Sequence, residues 1–449
     1  VLFALLAIRQ LQIAVVDAPA LDADARNPRR SDIASGRGSI VADDGTPLAL
    51  TRDGRRRYPQ GALTAHVVGY ASPRFGTSGL EDAFDRVLSP PRRDRGPLAE
   101  VWSLLTGADA ARGATVVTTI DLPVQRTLDA GLAQYPRAAG VVLDPRTGAV
   151  LAMAAVPSFN PNDLDREWAS LLSDPASPLL DRTTSGLYPP GSTFKIVTAA
   201  DGLDAGIVTP ATLFHDTGGL RVGNFVYRND QGEVTGTQTL TGAFALSSNV
   251  DFGALALQIG VDRWFADAER WGFGQSMEFD IPAARDRLPA RDDVTPSVLA
   301  QLGFGQASLL VTPLRMALVA ATIADGGRTP RPYIVRSIAG NDTRLATRPE
   351  QLAAPIGRDV AAEVRDMMIA VVARGTGTVA ALPGVTVAGK TGTATNPHGL
   401  AHSWFVCFAP AQAPRVAVAV IVENGGYGAS IAAPIARDVL RVALARTRT

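Results

Sequence analysis

The chain has 449 residues, an apolar content of 46%, 43 basic and 43 acidic side chains, and a single cysteine. The length allows roughly three domains and ample core, and zero net charge removes the electrostatic case for a nucleic-acid partner. One cysteine, Cys407, excludes an internal disulfide, and the four histidines (His66, His215, His398, His402) lack metal-ligand spacing, so neither metal nor cofactor is expected.

In chain order, the opening run VLFALLAIRQLQIAVV is apolar but contains Arg9 and is shorter than the ~20 residues of a spanning helix. It can be the outer end of a truncated membrane anchor, a signal-peptide core ahead of Ala18–Ala20, or a buried helix. Residues 1–16 are read as the anchor. Residues 17–137 alternate turn signals (NPRRSD, SGRG, DDGTP, SPPRRDRGP) with short apolar stretches, of which GATVVTTI reads as a strand. The cluster RDGRRR (Arg52–Arg57) reads as a solvated turn. DLPVQRTLDAGLAQY follows as a helix, with Asp121 as cap and Pro123 in the first turn. This part reads as an irregular, extended module.

The texture changes at Ala138, where AAGVVLDPRTGAVLAMAAVP is two apolar runs joined by a turn, the signature of a hairpin. Helical patterns dominate from Thr193 to Ile259 and recur at Pro313–Ala324 and Arg358–Ala373. HSWFVCFAP and RVAVAVIVENGG read as two further strands, and SIAAPIARDVLRVALAR closes the chain with an apolar stripe at helical spacing. Strands at both ends with helices between imply one α/β domain over 138–449, built on a central antiparallel sheet flanked by helices.

Only two of the 43 basic residues are lysines, which leaves 41 arginines. Base bias explains the scarcity of lysine but not the positions of the two that remain. Lys195 lies in YPPGSTFKIVTAA and Lys390 in VAGKTGTAT. A proton acceptor near neutral pH can be a lysine and cannot be an arginine. Gly191 bends the chain and Ser192 opens a helix, so Ser192 and Lys195, at i,i+3, share one face. The helix dipole favours negative charge developing on that serine, and a neutral lysine could take its proton. Taken alone, Ser-x-x-Lys reads equally well as a helix cap beside a surface lysine.

GVTVAGKT (Gly384–Thr391) fits the phosphate-loop pattern G-x-x-x-x-G-K-[ST]. A phosphate loop must run straight into a helix, whereas VTVA is β-branched and TGTATNPHG cannot start one. Read as a strand, the segment sets Lys390, Thr391, Gly392 and Thr393 along a cleft. Lys390 supplies charge there, Thr391 and Thr393 offer hydroxyls to a carboxylate, and Gly392 leaves room for a substrate backbone. Between the two lysines lies FALSSNVDFG, with Ser247 and Asn249 at a break between helical runs; alone it is a polar turn.

Ser-x-x-Lys, Ser-x-Asn and Lys-Thr-Gly, in that order, resemble the penicillin-recognising serine acyltransferases, which comprise penicillin-binding proteins and serine β-lactamases. The flanks YPPGSTFKIVTA, LSSNVDFG, FGQASLLVTPLRMA, GTGTVAALPGVTVAGKTGTA and WFVCFAP are similar to class B penicillin-binding proteins. So are RGSIVADDGTPLA, GLEDAFDRVL, TTIDLPVQ and VVLDPRTGAVLAMAAVPSFNPN upstream. NPRR, RYPQGALTAHVVGY and the Arg/Ala bias resemble the actinobacterial A-type branch. Three positions depart from the family pattern: DDGT stands for Asp-Arg-x-Gly, Ala307 for a usual Gly, and Cys407 for another.

The resemblance implies a transpeptidase domain with an all-helical lobe, a non-catalytic pedestal or dimerisation-like module over 17–137, and a single-pass membrane anchor that leaves the catalytic domain extracytoplasmic. It implies that Ser192 attacks the D-Ala-D-Ala carbonyl of a peptidoglycan stem peptide, with Lys195 as base. Amides of Ser192 and Thr393 would form the oxyanion hole, Ser247 would relay a proton to the leaving group, and Asn249 would hold the substrate amide. β-Lactams would acylate the same serine. A separate glycosyltransferase and divisome membrane proteins would be partners in cell division or cell shape. The same motifs also serve D,D-carboxypeptidases and β-lactamases, and a non-turnover β-lactam sensor or divisome scaffold is a reading from another class. A β-lactamase would not require the N-terminal module of about 120 residues, given single-domain size.

Overall fold

The computed structural model describes residues 36–90, 112–340, 343–396 and 399–446, and the chain divides into two compact units. The expected anchor, residues 1–16, lies outside the described residues. Among the described residues, no helix is long and apolar enough to cross a membrane.

The smaller unit gathers chain from before Thr119 together with 160–165 and 337–346. Its described residues form more regular structure than the turn-rich sequence suggests. Among the described residues it holds a six-stranded sheet in the order Thr343–Ala346, Val335–Gly340, Thr115–Thr118, Ile40–Val41, Pro47–Arg52, Arg55–Arg57, beside the short pair Ala71–Ser72 and Gly76–Thr77. Two of these strands come from more than 200 residues downstream, which no local pattern announces. The expected turn in RDGRRR is the tip of a hairpin, with Asp53 and Gly54 both at positive φ (52° and 67°), as a two-residue turn requires. Arg56 is not solvated: its Nε meets Glu81 Oε1 at 2.6 Å, and Arg37 Nε meets Glu81 Oε2 at 2.6 Å with both side chains buried. Asn162 joins this unit through reciprocal bonds with the Tyr58 backbone at 3.0 and 2.9 Å.

The compact units divide between Thr118 and Thr119. The helix Leu122–Leu132 (α1) therefore belongs to the larger unit, where Val124, Leu128 and Leu132 enter the main core. Asp121 caps it by accepting from Val124 N, as its sequence predicts. The expected hairpin is β1 (Ala138–Leu143) and β2 (Val150–Val156), paired antiparallel. With β3 (Ala388–Ala394), β4 (His402–Ala409) and β5 (Val416–Val422) they build a five-stranded antiparallel sheet, ordered β3-β4-β5-β1-β2. Nearly every residue of these strands is buried, which explains their continuous rather than alternating apolar runs. The sheet packs against α1 and the C-terminal helix Ala432–Arg446, and also against the helix Pro313–Ala324. Cys407 is fully buried in this core, where burial pushes its thiol pKa well up and leaves it an inert hydrophobe.

Helices hold the remaining lobe, including α2 (Lys195–Asp204), α3 (Leu240–Leu246) and α4 (Asn249–Ile259). The expectation of helix from Thr193 to Ile259 fails between α2 and α3. Four short strands occupy Leu213–Asp216, Leu220–Val222, Phe225–Tyr227 and Gly236–Thr239. Gly218, Gly223, Gly232 and Gly236 all take positive φ there and punctuate the segment into turns. Those glycines and the β-branched residues around them were the overlooked signal.

Candidate active site

The arm Tyr188–Pro190 delivers Ser192, and each of its carbonyls is claimed. Tyr188 O accepts from Val311 N at 2.8 Å, Pro189 O from Trp404 Nε1 at 3.0 Å, and Pro190 O from Thr193 Oγ1 at 2.7 Å. The prolines have no N–H to satisfy, so the arm can be buried at little polar cost. Gly191, at φ 54°, turns the chain, and a Cβ there would lie 2.8 Å from Thr393 O. The Ser192 turn thus sits against the backbone of β3. Ser192 lies in a 3₁₀ turn, Gly191–Phe194, and the α-helix begins only at Lys195.

Lys195 and Lys390 converge on the Ser247 hydroxyl, and Asn249 meets Lys195 beside it. Lys390 Nζ donates to Ser247 Oγ at 2.8 Å, with Lys195 Nζ at 3.3 Å from the same oxygen. Lys195 Nζ also donates to Ser247 O at 2.5 Å and to Asn249 Oδ1 at 2.8 Å. Ser247 holds this position in the left-handed region (φ 64°, ψ 39°), between α3 and α4. A non-glycine residue there is strained, the kind of backbone that functional sites retain. Among the described residues, the Ser192 hydroxyl has no hydrogen-bond partner. The expected Ser192–Lys195 contact is therefore not formed, although both belong to one turn. Catalytic bonds in unliganded sites are often open in this way.

Both lysines are fully buried. Burial, then the charge of Lys390, holds Lys195 well below the ordinary lysine value, opposed by Asp251 and Asp230. Burial alone lowers Lys390 to about 7. Each ammonium lies 5.6 Å from a ring centre, Lys195 over Phe252 and Lys390 over Phe244, so quadrupoles partly replace water.

Thr391 and Thr393 line the cleft that Ser192 opens into, and Ser247 and Asn249 border it as well. Gly392 does not provide the substrate channel expected of it. A Cβ at this position would lie 2.8 Å from Thr193 Cγ2 and 2.9 Å from Trp404 Cβ, so the space it leaves is taken by the Ser192 turn and by β4. Its neighbours alternate to the other face of β3 and reach the cleft. The phosphate-loop pattern is also disposed of by the fold, because Lys390 lies mid-strand and the chain runs on as strand to Ala394.

Sequence reading missed Thr376, whose hydroxyl meets Thr391 Oγ1 at 2.6 Å, and the cleft residues Asn229, Asp230 and Glu233. The three lie in an irregular loop with no periodicity to flag them. The departure at Ala307 is accounted for in part: it sits at φ 63°, where glycine is unstrained. Ala307→Gly is expected to stabilise the protein by up to about 1 kcal/mol, net of glycine's entropy cost. The check is a rise in the urea midpoint at unchanged m-value.

Residues 138–441 match the penicillin-binding protein transpeptidase domain, and residues 37–116 match the penicillin-binding protein A dimerisation domain. The peptidoglycan D,D-transpeptidase PbpA of Mycolicibacterium smegmatis is 38% identical over 99% of this chain and 96% of that protein. The ceftriaxone acyl-enzyme complex of penicillin-binding protein A from M. tuberculosis superposes with a TM-score of 0.84 at 34% identity, covering 92% of this chain and all of the other. The D,D-transpeptidase domain of a peptidoglycan glycosyltransferase from Eggerthella lenta gives 0.83 at 36% identity, covering 92% and 99%. The motif order, the shared hydroxyl between two buried lysines and these likenesses agree: the chain belongs to the penicillin-binding protein transpeptidase family, class B, on the branch of the mycobacterial PbpA proteins.

Proposed function

We propose that this protein is a peptidoglycan D,D-transpeptidase that cross-links stem peptides through an acyl-enzyme on Ser192. The observation that carries this reading is Ser247 Oγ held between Lys195 and Lys390, with Lys195 one turn along from Ser192, whose hydroxyl has no partner among the described residues and opens into the cleft. Neutral Lys195 takes the Ser192 proton as Oγ bonds to the penultimate D-Ala carbonyl carbon. The Ser192 and Thr393 amides receive the developing oxyanion, each worth roughly 3–4 kcal/mol. The C–N bond to the terminal D-Ala then breaks, and its nitrogen takes the proton through Ser247. Asn249 holds the substrate amide, while Thr391 and Thr393 face its terminal carboxylate beside Lys390. An amine of a second stem attacks the ester, gives up its proton along the same route, and releases Ser192.

A β-lactam presents the same carbonyl and carboxylate, so it acylates the same serine. The substrate lies outside the cytoplasmic membrane, which supports a membrane-held chain with its catalytic domain extracytoplasmic. Cross-linking needs newly polymerised glycan, which supports a glycosyltransferase and divisome proteins as membrane partners.

Two assays test the reading. A fluorescent penicillin should label a single peptide, the one containing Ser192. A stem peptide ending in D-Ala-D-Ala, supplied with an amine acceptor, should then yield D-Ala and an amide-linked product. Release of D-Ala without acceptor incorporation would make the protein a carboxypeptidase; rapid β-lactam turnover would make it a β-lactamase. Absence of label would overturn the acyl-enzyme altogether.

A further inference from the structure

Behind the Ser-x-Asn motif, the loop preceding Gly236–Thr239 reaches into the start of α4. Asn229 is buried, and its Oδ1 accepts from Asn249 N at 2.7 Å, Val250 N at 3.2 Å and Ser248 Oγ at 3.3 Å. These include the first free amides of α4, which a helix must satisfy from outside itself. Ser248 caps the same helix at Asp251 N, so two side chains share the end. On its other side Asn229 Nδ2 donates to Asp216 Oδ2 at 2.5 Å and to Glu233 O at 3.0 Å.

Asp216 is a fixed acceptor. It also takes Thr235 N at 2.9 Å, Thr235 Oγ1 at 2.7 Å and Gly218 N at 2.7 Å. Burial works against its charge, but the bonds from Thr235, Gly218 and Asn229 outweigh it and hold the carboxyl below its ordinary value. The amide of Asn229 can therefore point only one way, NH₂ toward Asp216 and oxygen toward α4.

We infer that Asn229, oriented by Asp216, is a positioning residue that sets Ser247 and Asn249 against Lys195. It clamps the helix end that carries Asn249, whose Oδ1 accepts from Lys195 Nζ at 2.8 Å, and follows directly on strained Ser247. It also lies in the cleft wall, next to Asp230 and near Glu233. The loop that lines the cleft and the residues assigned to the proton path are thus joined through one side chain. The inference rests on the acyl-enzyme reading above, and labelling of the wild-type protein at Ser192 is the control that separates the two.

The test is the rate constant of penicillin acylation across pH, with folding followed separately. Asn229→Ala should acylate on the order of 100-fold more slowly, as expected when a reacting group is displaced by about 1 Å. Lys195 is faced by Lys390 from β3, by Asp251 from α4 and by Asp230 from the loop. Losing the Asn249 acceptor removes support for its ammonium form, so the acid limb should move to lower pH.

Asn229→Asp alone sets a carboxylate against Asp216 and should fail similarly. Adding Asp216→Asn restores a donor–acceptor pair with the acceptor still facing α4, though it forgoes the bonds to Thr235 N and Glu233 O, and should recover at least about tenfold over Asn229→Asp alone, a difference of ~1.4 kcal/mol. Acylation of Asn229→Ala within about twofold of wild type overturns the inference. A slower rate with an unmoved acid limb reduces Asn229 to a structural role. If Asn229→Ala does not fold, the paired variant decides: recovered folding without recovered acylation also overturns it.

Discussion

Ser192→Ala is expected to lose covalent penicillin labelling by a factor on the order of a million, the scale seen when a serine nucleophile is removed from its site. The fold should be left nearly untouched. The Ser192 hydroxyl makes no hydrogen bond among the described residues and caps no helix; the turn is held instead by the bonds to Tyr188, Pro189 and Pro190. Its loss should cost less than about 1 kcal/mol, the usual range for a substitution that breaks no cap, network or packing. The measurement is label per mole of protein beside a thermal melt. Labelling that persists in a folded Ser192→Ala protein would move the nucleophile elsewhere in the cleft.

The two lysines should separate under the same substitution. Lys195→Arg is expected to fail nearly as badly as Lys195→Ala, by roughly 10²–10⁴-fold in acylation, because a guanidinium does not deprotonate in a protein. Lys390→Arg should retain a measurable fraction, since its proposed work is a positive field beside Ser247.

The pH dependence sharpens the contrast. With neutral Lys195 as the proposed base, the wild-type rate should rise with pH through a Lys195 pKa that burial and Lys390 hold below the ordinary 10.5. Lys390→Ala removes one of the two effects that lower it, so the Lys195 pKa rises and the acid limb moves to higher pH. Lys390→Arg keeps the charge and should leave the limb in place or move it lower. Rate constants for all four variants across pH settle the matter. Near-wild-type acylation by Lys195→Arg would end the case for Lys195 as base.

Much of this site was legible before any fold was known. Lysine is so rare in the chain that Lys195 and Lys390 stand out, and three short motifs in a fixed order name Ser192, Ser247 and Asn249 alongside them. The sheet was legible too, because fully buried strands such as VAVAVIV and AAGVVL cannot be solvent-facing segments. So was the strand character of the Lys390 segment, because β-branched residues precede it and no helix can follow.

Other features depend on contacts between residues far apart in the chain. Chemistry-bearing side chains declare themselves by type, whereas the groups that aim them are ordinary residues in loops. Asn229 reads as one more turn residue until α4 is brought against it, and Thr376 as one of several threonines until Thr391 faces it. Gly392 was assigned to the substrate because a missing side chain signals close approach without saying of what; the folded chain puts Thr193 and Trp404 there. The smaller unit's sheet draws two strands from beyond residue 330, and α1 joins the larger core despite lying before the hairpin. Residue types and local spacing therefore determined which groups are candidates for the chemistry. Only the tertiary structure decided how they are held, because hydrogen-bond partners and close packing are set by distance in space and leave no period in the sequence.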